Sequence, residues 1–144
     1  MIEKNILSDM NLARDSILES KNSIAVIKDG LILSEKKGDG LRPILEVINE
    51  LGEDINGSII GDKILGKASS LLCVYSKARG VYSPKSTKNA IAILIKHNIP
   101  IQIDKIISYI ENKMGNDICP FEKMIEKIDS PEKAYKILKK NIMK

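Results

Sequence analysis

Asp29-Gly30, set between the runs Ser23-Ile24-Ala25-Val26-Ile27-Lys28 and Leu31-Ile32-Leu33-Ser34, constrains this chain more than any other stretch. Two β-prone runs joined by Asp-Gly predict an antiparallel hairpin, because the primed turn that matches strand twist needs positive φ at its central residues. After the hairpin the pattern alternates. Strand runs at residues 58–60, 80–83 and 99–103 are separated by helical periodicities over 64–75 and 86–97, with Pro84 as punctuation. Strand, helix and strand in succession imply parallel crossovers. A hairpin followed by crossovers predicts a mixed sheet between helices, a three-layer α/β/α sandwich.

The helices carry legible stripes. Ile6, Leu7, Met10, Ala13, Ile17 and Leu18 recur at helical spacing over residues 6–18. The Gly38-Asp39-Gly40 loop leaves Arg42 at the mouth of a helix opened by Pro43, striped by Ile44, Leu45, Ile48 and Leu51, and closed by Gly52. The helix over 64–75 has Lys67 as its one internal charge, with Gly66, Ala68, Ser69 and Ser70 keeping one side slim. It reads as the buried central helix. Ser130-Pro131 opens a last helix, where Ala134, Ile137, Leu138 and Ile142 run beside a solvated lysine face.

At 144 residues the chain has the size of one domain, read as residues 1–128 with an amphipathic helix, 129–144, packed on it. With one Phe, four Tyr and no Trp, the core must come from Ile, Leu, Val and Ala. The net charge of +4 is spread along the chain instead of forming a stripe, so no nucleic-acid partner is called for. Cys73 and Cys119 lie on separate elements and make no disulfide framework. No stretch resembles a signal peptide and no apolar run is long enough to cross a bilayer, so a cytoplasmic protein without a membrane partner is expected.

Candidate chemistry gathers at two places. In Asp117-Ile118-Cys119-Pro120-Phe121-Glu122-Lys123, Pro120 starts a helix and makes Cys119 its N-cap, where free amides favour a thiolate. The plainer reading makes Glu122 a capping-box carboxylate and Cys119 a small packed residue. In the second place, Gly61-Asp62-Lys63-Ile64-Leu65-Gly66-Lys67-Ala68 stops one residue short of a phosphate-binding G-x-x-x-x-G-K-[ST] loop, with Ala68 where the metal-ligating hydroxyl belongs. An ATPase is therefore not expected. What the segment keeps is Lys63 and Lys67, spaced i,i+4 near a helix start that attracts anions, with Asp62 ahead as helix cap, lysine partner or proton carrier. Lys67 stands out, since a charge inside a buried helix must find a partner or shift its pKa. His97 is the single histidine and sits at a helix C-terminus, and no C-x-x-C or H-x-E occurs, so neither a metal site nor a cofactor is called for.

The 23–34 hairpin, Arg42-Pro43-Ile44-Leu45, the 61–68 segment, Tyr109-Ile110 and Cys119-Pro120-Phe121-Glu122-Lys123 stand in an order that resembles an uncharacterised prokaryotic family, a domain of unknown function with the cytidine deaminase-like fold. The likeness runs over residues 10–128 and implies a mixed five-stranded sheet flanked by helices. Active members of that superfamily hold zinc with H-A-E or C-A-E at one helix start and P-C-x-x-C at the next. Here Gly66-Lys67-Ala68 stands in the first place, and Pro84 is followed by Lys85 and Lys88 in the second, so the resemblance implies the scaffold without zinc-dependent deamination.

Three readings follow. The leading one is a cleft binding a nucleotide-like or other anionic small molecule through Arg42, Lys63 and Lys67, with Asp62 orienting them and Cys119 lining the pocket. The second is a zinc-independent enzyme with Cys119 as nucleophile and Asp62 as proton carrier. The third is a non-enzymatic interaction protein, such as a homodimer paired through its apolar helix stripes.

Overall fold

In the computed structural model, which describes residues 4–143, β1 (Ile24–Lys28) and β2 (Leu31–Lys36) pair antiparallel across Asp29 and Gly30, whose φ values of 50° and 78° are those a primed turn demands. On its other side β1 pairs antiparallel with β3 (Ile59–Asp62). From there β3, β4 (Gly80–Thr87) and β5 (Ile101–Ile107) run parallel, and the sheet order is β2-β1-β3-β4-β5. The mixed sheet follows from chain economy: a two-residue turn suffices for the hairpin, whereas each parallel step needs a helix to carry the chain back.

One face of the sheet is covered by α1 (Lys4–Leu18), which buries Ile6, Met10, Ala13 and Ile17 against Ala25, Ile27, Ile59 and Tyr82. The helix lies close because Gly61 has no side chain. A Cβ there would stand 3.1 Å from Ile17 and 3.2 Å from Ala13. The opposite face carries α2 (Arg42–Leu51), α3 (Lys67–Tyr75) and α4 (Lys88–Lys96), with Ile24, Val26, Ile60 and Val81 of the sheet in the same core as Leu45, Leu72 and Leu94 of the helices. The result is an α/β/α sandwich around a mixed sheet.

A last helix, α6 (Pro131–Ile142), packs outside α3, leaving residues 67–73 of α3 all buried. Ser130 caps α6 by accepting from the Lys133 amide at 3.2 Å. Ala134 and Leu138 face inward, and the Tyr135 ring stacks on Tyr75 with centroids 4.2 Å apart. Among the described residues, no helix is long and apolar enough to cross a membrane.

Several element boundaries differ from the periodicity; β5, for example, runs Ile101–Ile107 and not 99–103, and two of the shifts bear on the site. The central helix starts at Lys67 and not at Ile64, because the amides of Lys63 and Leu65 are used sideways, donating to Ser23 O at 3.0 Å and Lys85 O at 2.8 Å. Backbone engaged in lateral pairing does not wind into a helix. Pro84 does not end its strand, since β4 continues to Thr87 and α4 begins at Lys88 with the Thr87 hydroxyl accepting from Ala90 N at 3.2 Å. The pairing of β4 with β3 stops at Tyr82, so the proline falls beyond the part of the ladder flanked on both sides. Pro84 and Lys85 therefore lie in the strand, and of the stretch matched to P-C-x-x-C only its last residue, Lys88, opens a helix.

Candidate functional site

The three parallel strands end on one side of the sheet, at Asp62, Thr87 and Ile107. Beyond the last two lies an open cleft of about 520 Å³. Its inner wall is Thr87, Lys88 and Asn89 at the start of α4, Ile106 and Ile107 at the end of β5, and Lys67 at the start of α3. Its outer wall comes from the connection after β5, through Tyr109, Ile110, Ile118, Glu122, Lys123 and Glu126. Open α/β sheets place ligands outside the carboxyl ends of their strands, because helix N-termini and loop side chains converge there.

Lys67 and Glu122 form the connected centre of this region. The Lys67 side chain is 11% exposed, and its ammonium donates to Glu126 O at 2.7 Å and to Asp129 Oδ1 at 3.1 Å. The two carboxylate oxygens of Glu122 accept from the amides of Lys67 and Ala68, each at 2.8 Å. Gly66, the N-cap of α3, offers no side-chain cap, so these first-turn amides need an acceptor from elsewhere. Glu122 supplies it from 55 positions away. The absence of a side chain at Gly66 is what admits the carboxylate: a Cβ there would lie 2.2 Å from Glu122 Oε1 and 2.6 Å from Ile110 Cγ1. Its φ of −113° is ordinary, so space alone selects glycine.

This geometry corrects the local reading of Glu122. It does not close a capping box on α5 (Pro120–Met124), because the Cys119 amide donates to Ile110 O at 2.8 Å and the Glu122 carboxylate is spent on α3. The sequence carries no local signal for the pair, since the periodicity starts the helix at Ile64 with Asp62 ahead as its cap, and the uncapped start at Gly66 appears only in the fold.

Asp62 is not the cap of α3 either. It ends β3 facing the α3 layer, where burial pushes its carboxyl up to about 7 against the pull of the Ser69 hydroxyl and the Ile64 and Lys63 amides. Burial also drives the Cys73 thiol well up, with the Asp62 charge adding to it. Lys63 is exposed and off the helix, so it shares no helical face with Lys67. Arg42 opens α2 as expected, but its guanidinium donates to Ile142 O of α6 at 2.6 Å. Cys119 is the N-cap of α5, half-buried, and is not among the residues that line the cleft. Of the five residues singled out from the sequence, the cleft takes Lys67 alone, and it adds Lys88, Tyr109, Glu122 and Lys123. Among the described residues, no three His, Cys, Asp or Glu side chains come together as a metal-holding group.

The family model described as TM1506, domain of unknown function (DUF1893), matches residues 13–142, nearly the whole of the described chain. The chain belongs to the DUF1893 family. Its span takes in α6 as well as the sandwich. Among solved structures, the DUF1893 protein TM1506 of Thermotoga maritima matches with a TM-score of 0.85 at 25% identity, over 99% of this chain and 93% of that one. RibD of Acinetobacter baumannii, which has the cytidine deaminase-like fold, matches with a TM-score of 0.50 at 13% identity, over 69% of this chain and 36% of that one. At that identity the likeness speaks for the fold alone, and it is consistent with the mixed five-stranded sheet and flanking helices of this DUF1893 chain. Among curated proteins none matches in sequence.

Proposed function

We propose that this DUF1893 protein binds a nucleotide-like or other anionic small molecule in the cleft at the carboxyl ends of β4 and β5. The observation that carries the reading is the make-up of the walls. Lys67, Lys88 and Lys123 line the cleft beside Glu122 and Glu126, together with apolar Ile106, Ile110, Ile118 and Tyr109, the last 44% exposed. A planar base suits the ring and the isoleucines, and a phosphate or carboxylate suits the lysines. Lys67 and Lys123 already have partners, in Asp129 and Asp117. Among the described residues Lys88 has no ion pair or hydrogen bond through its ammonium, so it is the cation free to meet a ligand.

A deaminase-like scaffold without zinc belongs to the same reading. What supports it is the start of α3, where Gly66-Lys67-Ala68 places an ammonium in the neighbourhood that a zinc site would need to keep anionic or neutral.

Adenosine and uridine monophosphate serve as probes in a thermal-shift and calorimetric titration of the full chain. Millimolar nucleotide is expected to raise the Tm of the wild type, and Lys88→Ala to weaken binding about tenfold, as loss of one charge-assisted contact does. Equal shifts for both proteins, or none with either nucleotide, would remove the reading.

A further inference from the structure

We propose that residues 108–129 form a strap over the cleft, and that the Glu122 carboxylate on the first turn of α3 is the latch that holds it down. The strap is tied mostly to itself. Its internal bonds include Cys119 N to Ile110 O at 2.8 Å, Asn112 N to Asp117 O at 2.8 Å and the Lys123–Asp117 pair at 2.6 Å. Among the described residues, its hydrogen bonds to the body converge on Lys67 and Ala68: two amides to Glu122, and one ammonium to Glu126 O and Asp129. Apolar anchoring is limited to Ile125, which is fully buried, and to Phe121 and Ile128, which are half-buried against the α3 core, with α5 itself burying no residue completely. Segments with few buried contacts and concentrated ties open as units below the global unfolding free energy.

The latch has a seat made for it. Gly66 leaves room for both the carboxylate and Ile110, two strap residues meeting at one missing side chain. The charge state matters as well as the shape. A carboxylate accepts from both amides, whereas an amide of the same size would turn an N–H₂ toward one of two N–H donors. The strap also supplies the outer wall of the cleft, so its opening widens access to Lys67 and Lys88. That consequence for a ligand rests on the binding reading above; the latch itself does not.

Amide hydrogen exchange on the full chain without ligand tests it, comparing wild type with Glu122→Gln and Gly66→Ala. The first variant keeps the volume and loses the double acceptor; the second keeps the carboxylate and blocks its seat. Both are expected to speed exchange at least tenfold through residues 108–129 and at the Lys67 and Ala68 amides, leaving α1, β1 and β3 at wild-type rates. Wild-type rates in the strap of Glu122→Gln overturn the latch, and so does an increase spread evenly over the sheet and α1. If Gly66→Ala does not fold, the isosteric Glu122→Gln decides alone. Accelerated strap exchange in a protein that binds no nucleotide upholds the latch and removes the binding reading.

Discussion

Single residues in this protein carry tasks that their immediate neighbours in the chain do not reveal. Lys67 is conspicuous in the sequence as one charge in an apolar helix, and the need for a partner follows from the cost of burying an unpaired ammonium. Which partners it finds, Glu126 O and Asp129, depends on a connection about 60 positions further on. Asp62 shows the converse, a carboxylate with hydroxyl and amide partners and, among the described residues, no cation. Its folded-state pKa of about 7 lies above the roughly 3.9 of an unfolded chain, so between those values the native state keeps a proton that the unfolded chain releases. The stability contributed by the neutral carboxyl is complete below about pH 4 and is lost as pH rises through about 7. Wild type is therefore expected to lose up to about 4 kcal/mol across that window relative to Asp62→Asn. Urea unfolding at steps from pH 4.5 to 7.5 reads the difference, and parallel pH slopes in the two proteins would assign the titration elsewhere.

At the scale of elements, periodicity located the helices and lateral hydrogen bonds moved their ends. The stripe of α1 and the Asp-Gly hairpin are legible because both are local patterns, a 3.6-residue spacing and a two-residue turn. The late start of α3 and the passage of β4 through Pro84 are not, since they depend on Ser23, Leu65 and Lys85 meeting across the sheet. The last helix illustrates how much an amphipathic stripe contributes once it is docked. Leu138 is fully buried against the α3 layer, and Leu138→Ala is expected to cost about 2–5 kcal/mol, while exposed Lys136→Ala stays within about 0.5 kcal/mol. Denaturant midpoints at constant m-value check both; a near-neutral Leu138→Ala would mean that α6 is not part of the cooperative core.

The whole molecule is two cores divided by a sheet, and its thiols report on different depths of it. Cys73 is fully buried in the α3 layer with its thiol driven well up by burial, so it is expected to react only when the domain opens globally. Cys119 is half-buried at the strap and is expected to be labelled in the native state. Iodoacetamide labelling followed by mass spectrometry separates them, and equal rates at the two sites would contradict this division into a closed core and an accessible strap. The cleft is also a property of this scale. It exists because two crossovers bring the starts of α3 and α4 and the end of β5 to one side, and because the strap crosses in front of them.

Local chemistry by itself determined the hairpin, the mixed sheet, the helical stripes and the prominence of Lys67, because each rests on spacings of a few residues or on a desolvation cost that any fold must meet. Tertiary structure alone decided that Glu122 serves α3 instead of its own helix, that Arg42, Lys63 and Cys119 stand away from the cleft lining, and that Gly66 is a seat for a distant carboxylate. The physical reason is that an unsatisfied amide or ammonium states its demand locally, whereas the group that satisfies it is set by which distant segments the sheet order brings together.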